Sequence, residues 1–227
     1  MTPSERRILV FAPHPDDDLI GCGGSLARRV RQGARVDVVY LSLGESGSLR
    51  YSKEELGEMR RREALAAASS LGIQGTRFLG LEDGGIEVNP RNTKLMIRIL
   101  RELKPHCVYV PHAQDAHRDH KAAHELVKEA VWTAGGPWFR DCGAAPWAVS
   151  TLLAYEVWTP LGDIGYVEDI TDAMDAKVGA LQKHASQVQD WDYVEAVTSF
   201  NRYRGILTGR GRYCECFQVL RAGELAF

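Results

Sequence analysis

Two short stretches concentrate the side chains able to hold a metal or move a proton. The first, His14-Pro15-Asp16-Asp17-Asp18, closes an apolar run at residues 8–12. The second carries His117, Asp119 and His120, with His124 one helical turn further on. Imidazole nitrogen and carboxylate oxygen suit a borderline cation such as zinc, and a catalytic site keeps three protein ligands plus an open position for water. One histidine and one aspartate from the first stretch, with one histidine from the second, complete such a set. A carboxylate and an imidazole then remain for acid–base work. Either stretch alone could be a polar loop with Asp17 or Asp18 capping the helix that follows. His124 reads more readily as a packing or supporting residue, and His106 and His112 as ordinary loop residues.

The elements around these stretches alternate. Strand-like runs at 8–12, 35–43, 77–81, 107–110, 151–158 and 214–220 are rich in Val, Ile, Leu and aromatic residues. Helical patterns run over 25–32, opened by the glycines at 21–24, and over 53–71, 93–103, 121–133, 171–183 and 193–203. Gly33, Gly72 and Pro105 supply stops. The alternation predicts one α/β domain over 1–227, a Rossmann-like, doubly wound, mostly parallel sheet with helices on both faces. Residues 134–148, rich in Gly, Pro, Trp and Ala, read as a loop or flap. Ligands of open α/β sheets bind beyond the carboxyl ends of the strands. The polar clusters at 14–18, 44–47, 82–84 and 112–120 each follow a strand and should therefore gather at one edge.

Composition narrows the partners. A formal charge of −2 over 227 residues argues against nucleic-acid binding. No apolar run approaches the roughly 20 residues that span a bilayer, and the N-terminus has no signal-peptide pattern. Five scattered cysteines imply no disulfide framework. A cytoplasmic protein with no membrane contact is expected. Competing motifs are weak. Gly21-Cys-Gly-Gly-Ser-Leu resembles a dinucleotide-binding loop but lacks its full spacing. Cys214-x-Cys216 has no second metal pair, and no G-x-S-x-G elbow is present.

The stretches PHPDDDLIGCGG and HRDHKAAHEL, with LSLGESGS, LGEMRRREALAAASSLG, FLGLEDGGI, ALQKHASQ and RYRGILTGRGRYCECF, together resemble the LmbE-like, or PIG-L, family of zinc-dependent N-deacetylases. The likeness covers nearly the whole chain. It implies removal of an N-acetyl group from an N-acetylglucosamine-type sugar or glycoside, leaving free amine and acetate, with one zinc ion per chain. It implies His14, Asp17 and His120 as zinc ligands and Asp16 as the general base. His117 would then stabilise the oxyanion or protonate the leaving amine, with Asp119 orienting it. Arg60 matches an arginine that grips substrate, and Asp83 a sugar-hydroxyl acceptor; Glu45 would lend outer support and His184 a structural role. Asp115 stands where some relatives have a mobile tyrosine. Trp138, Phe139 and Trp147 offer aromatic surface for a sugar or a subunit contact, with packing as the ordinary reading. Oligomeric state stays open, a homo-oligomer being one outcome. Two other readings compete: an amidase for a larger N-acyl or thiol-conjugate substrate, and a non-catalytic metal- or sugar-binding protein.

Overall fold

The computed structural model describes residues 6–143 and 145–223. Residues 1–5, which include the start of the N-terminal reading, and Ala144 of the 134–148 loop lie outside them. The elements run β1 (Arg7–Ala12), α1 (Asp17–Arg31), β2 (Arg35–Tyr40), α2 (Lys53–Leu71), β3 (Gly75–Phe78), α3 (Pro90–Leu103) and β4 (Cys107–Pro111). They continue with α4 (Arg118–Ala134), β5 (Thr151–Tyr155), β6 (Tyr166–Asp169), α5 (Met174–Leu181), α6 (Ala185–Val188), α7 (Tyr193–Thr208) and β7 (Cys214–Arg221). The sheet order is β3-β2-β1-β4-β5-β7-β6. The first five strands are parallel, and β7 is antiparallel to both its neighbours.

The sheet is apolar on both faces, as a covered parallel sheet must be. On β1, Ile8, Val10 and Ala12 join one core with residues of α1, α2, α5 and α7. Leu9 and Phe11, which alternation turns the other way, join a second core with α3 and α4. The doubly wound expectation therefore holds. Strand order reverses between β1 and β4, the topological switch point, and the His14 and His117 loops flank it.

Several local expectations change. Helix α1 begins at Asp17 rather than near residue 21, so Asp17 and Asp18 occupy its first turn, where its dipole favours carboxylates. Neither is its cap; the cap is Asp16, with no side-chain hydrogen bond. Strand β6 went unread because it is four residues at an edge, registered only by β7. The described residues of the 134–148 loop lie to one side of the switch point. Arg101, buried on α3, donates to the carbonyls of Ala134, Gly136, Trp138 and Phe139 and pins the loop to the α3–α4 side. Trp147 donates to the Pro105 carbonyl at 2.7 Å.

Helix α1 is held hard against the sheet. A Cβ at Gly21 would collide with the Tyr155 ring, and one at Gly24 would lie 2.7 Å from Ile170. The buried Glu215 carboxylate on β7 accepts from the Gly24 and Ser25 amides at 2.9 and 2.8 Å and from the Ser25 hydroxyl. Buried Lys177 meets Glu215 at 2.6 Å and the Ile20 carbonyl at 2.9 Å, so this buried pair is fully hydrogen-bonded.

Candidate active site

The β1–α1 loop, the β4–α4 loop and the segment after β3 meet at the switch point around a cavity of about 240 Å3. Its walls include His14, Asp16, Asp17, Arg60, Asp83 and His117. His14 Nδ1 lies 3.0 Å from Asp17 Oδ2, His120 Nε2 lies 3.3 Å from the same oxygen, and the two ring nitrogens are 3.4 Å apart. The far nitrogens face carboxylates. His14 Nε2 lies 3.0 Å from Asp83 Oδ1 and 3.3 Å from Asp119 Oδ2, and His120 Nδ1 lies 3.0 Å from Asp115 Oδ1.

This arrangement fixes where lone pairs point. If each ring donates its proton to the carboxylate behind it, His14 Nδ1, His120 Nε2 and Asp17 Oδ2 face one another as three acceptors. Only the His14 amide, which donates to Asp17 Oδ2 at 2.9 Å, relieves them. Such a triangle requires a cation. Protons can supply the charge: burial would depress His14, but Asp17, Asp119 and Asp83 outweigh it and hold it well above the imidazole range. Burial would likewise depress His120, yet Asp17 and Asp115 raise it to about 9. Burial would raise Asp17, and the two imidazoles hold it well below the carboxylate range. A divalent metal also fits. Bonds of roughly 2.0–2.2 Å in tetrahedral geometry give ligand–ligand edges of about 3.3–3.6 Å, close to the triangle observed. The carboxylates behind both rings match the usual outer support of metal-bound histidine. Two overlapping groups, His14 with His117 and His120, and His14 with Asp83 and Asp119, also lie close enough to hold an ion.

Asp16 projects beside this triangle from a twisted backbone, with φ 127°. An L-residue is strained there, and such strain clusters at functional sites. Burial raises its carboxyl to about 6, with the Arg60 charge pulling the other way. Asp18, expected at the helix start, is buried beneath. It accepts from the Tyr40 hydroxyl at 3.2 Å, and burial pushes it up to about 7.

His117 caps α4: its Nδ1 accepts the Asp119 amide at 3.2 Å, which places the neutral ring's proton on Nε2. Burial, then the neighbouring His14 and His120, lower its pKa, favouring a neutral ring over an imidazolium.

A scan against family models matches residues 9–131 to PIG-L, described as GlcNAc-PI de-N-acetylase. The 1D-myo-inositol 2-acetamido-2-deoxy-alpha-D-glucopyranoside deacetylase of Rhodococcus opacus is 31% identical over 82% of each chain. The chain belongs to the PIG-L family. Two solved structures show how far PIG-L-like folds range. The N,N'-diacetylchitobiose deacetylase of Pyrococcus horikoshii superposes with a TM-score of 0.85 at 28% identity, covering 95% of this chain and 84% of its own. The 4-carboxy-2-hydroxymuconate hydratase of Pseudomonas putida gives 0.81 at 25%, covering 95% and 96%.

Against the PIG-L resemblance, the structure gathers His14, Asp16, Asp17, His117, Asp119, His120, Arg60 and Asp83 at one edge, but the pairing of Asp119 differs from expectation. The Asp119 carboxylate does not pair with the His117 ring. It turns to His14 and to the amides of Gly84 and Ile86, at 2.7 and 3.3 Å, because the α4 start points it across the switch point. Arg60 lines the cavity, and its buried Nε has no hydrogen-bond partner. The guanidinium donates to the Pro15 and Gly44 carbonyls at 2.6 and 3.0 Å and meets Asp16 at 3.1 Å. Asp83, besides lining the cavity, touches His14 and accepts from the Ser46 amide at 2.8 Å. Glu45 accepts from the Asp83 amide. His124 bonds the Pro111 carbonyl, and His184 is buried below, pushed down to about 3 by burial and then by Arg60. None of the described residues of 134–148 lines the cavity; its aromatic members are Trp158 and Tyr193, which no local pattern had flagged.

Proposed function

We propose that this protein is a zinc-dependent N-deacetylase that releases acetate from an N-acetylated glucosamine glycoside. The observation that carries the reading is the triangle of His14, Asp17 and His120 acceptors with the spare carboxylate of Asp16 beside it. A protein that only bound metal or sugar would not need Asp16 raised to about 6 on a strained backbone. His14, Asp17 and His120 would hold the ion, which when bound supplies an acidified water and polarises the amide carbonyl.

The chain's own residues complete the chemistry. Asp16, ionised near neutral pH and oriented by Arg60, takes the proton of the attacking water. His117, neutral with its proton on Nε2, donates a hydrogen bond to the oxygen on which charge develops. That replaces the imidazolium which a paired Asp119 would have favoured. Asp119 and Asp115 hold the rings of His14 and His120 from behind. The proton on Asp16 then passes to the leaving nitrogen. A reducing, cytoplasmic setting is supported by five free cysteines. No helix among the described residues is long and apolar enough to cross a membrane.

The test is a panel of N-acetylglucosamine, its disaccharide and an inositol-linked glycoside, incubated with chelated and zinc-restored protein. Stoichiometric acetate and primary amine, only with metal, is the expected result. Amine release confined to longer acyl groups would favour the amidase reading. Water addition to an unsaturated acid without amine release would place the chain with its hydratase relative.

A further inference from the structure

His184 is a buried titratable group that the chemistry above leaves unused. It opens α6, its carbonyl accepting from the Gln187 and Val188 amides at 2.9 and 3.0 Å. The side chain is fully buried, and neither ring nitrogen has a hydrogen-bond partner. A residue that only filled this space would be apolar, because an imidazole buried without partners costs stability. The ordinary explanations for such a group are a functional task and an internal water.

Three observations place the ring next to Arg60. Helix α6 is tied to α2: the Ser186 amide and hydroxyl donate to the Glu63 carboxylate at 2.8 and 2.6 Å, and Glu63 stands one turn from Arg60 on the same helix. Gln187 and Arg60 converge on one glycine, since a Cβ at Gly47 would lie 2.7 Å from Arg60 Nη1 and 3.1 Å from Gln187 Oε1. Burial, and then the Arg60 charge, push His184 down to about 3, so the ring is neutral and one nitrogen is an open acceptor. Arg60 has the complementary need. Its Nη1 and Nη2 serve the Gly44 and Pro15 carbonyls and Asp16, while its buried Nε is a donor without a partner. No direct bond joins Nε to the imidazole. One internal water, which takes roughly two to four polar partners, satisfies both groups at once.

We propose that His184 is a positioning residue for the Arg60–Asp16 pair: one ring nitrogen accepts, through one internal water, the hydrogen bond of Arg60 Nε–H. Nε joins the planar guanidinium to its flexible stem, so fixing it keeps the fork from turning away from Asp16. His184 thus acts on the chemistry only through Arg60 and touches no substrate. Its role rests on the deacetylase reading, in which Asp16 takes the proton of the attacking water.

Nitrogen-15 spectra of chelated protein read the link without any substrate. In the parent, the unprotonated His184 nitrogen should show the shift of one that accepts a hydrogen bond. The Arg60 Nε–H signal, identified by its loss in Arg60→Lys, should leave the hydrogen-bonded range in His184→Leu. A free lone pair on His184, or an Arg60 signal unmoved in folded His184→Leu, overturns the proposal. Kinetics then use zinc-loaded protein and the panel substrate that releases most acetate. His184→Leu should keep its metal, lower kcat about tenfold and change KM by less than about twofold. His184→Asn places an amide where Nδ1 was, and His184→Gln where Nε2 was. One of them should recover most of kcat and return the Arg60 signal, which shows the nitrogen that serves Arg60. An unchanged kcat in His184→Leu, or no recovery in either folded amide variant, overturns the positioning role. Absence of acetate release from every substrate by the parent overturns the deacetylase reading instead, and the nitrogen spectra still judge the link.

Discussion

The Asp16 carboxylate meets the Arg60 guanidinium at 3.1 Å with both side chains buried, and Arg60 also ties the Pro15 and Gly44 carbonyls around it. The arginine is thus tied to Asp16 and to the loops on either side of it. Burial raises Asp16, and Arg60 is the main opposing influence. Arg60→Met should therefore raise the Asp16 pKa further and move the acid limb of the kcat/KM profile upward by about one pH unit, each unit being about 1.4 kcal/mol. Arg60→Lys, which keeps charge but loses the fork, should shift it less. An unmoved limb in both folded variants counts against the pairing.

Under the proposed mechanism, Asp16 separates catalysis from metal binding. Asp16→Asn should keep its zinc by elemental analysis while kcat falls by about 10²–10⁴-fold. Asp16→Gly should lose activity as well, yet in chelated protein its Tm should match or exceed the parent's. Glycine accepts the φ of 127°, and strain of this kind costs on the order of 1–3 kcal/mol. A raised carboxyl also destabilises the fold as pH climbs from the ordinary carboxylate range through about 6. Zinc loss in Asp16→Asn would make Asp16 a ligand.

His14→Ala and His120→Ala should each reduce bound zinc to a small fraction of the parent's, since each removes one corner of a three-cornered site. Full occupancy in both would reject the triangle.

Under the proposed ligand set, zinc and protons would compete for the same lone pairs. With His14 and His120 raised in the metal-free chain, the latter to about 9, their charge stabilises the fold fully below the unfolded pKa near 6.5. That stability disappears as pH rises through the folded values. Chelated protein should lose Tm between about pH 6.5 and 9, and the Tm increment on adding zinc should grow over the same interval. Thermal scans at pH 6 and 8.5 decide it; equal increments refute the competition.

Asp119→Asn tests which histidine that carboxylate serves. Its contact with His14 predicts zinc affinity lowered by about 10–100-fold, measured by chelator competition. A normal affinity with a changed pH profile would instead assign it to His117.

What could be read without coordinates depended on distance along the chain. His14, Asp16, Asp17, His117 and His120 were legible because each lies just past a buried strand, and parallel topology carries strand ends to one edge. The start of α1 was not, since Asp16 caps without a side-chain bond and glycines masked the first turn. Which way Asp119 and Arg60 point depends on rotamers set by partners 105 and 45 residues away. Trp158, three residues past the end of β5, and Tyr193, at the start of α7, converge at the cavity, and neither carries a local signal.

Gly21 and Gly24 press α1 onto Tyr155 and Ile170, while Glu215 and Lys177 clamp its backbone. The helix that presents Asp17 thus has no room to tilt or slide. Any give during entry and release is left to the outer lining, where Ser46 and Gly47 sit in the β2–α2 loop. New specificities can therefore arise by redrawing that lining without disturbing the floor.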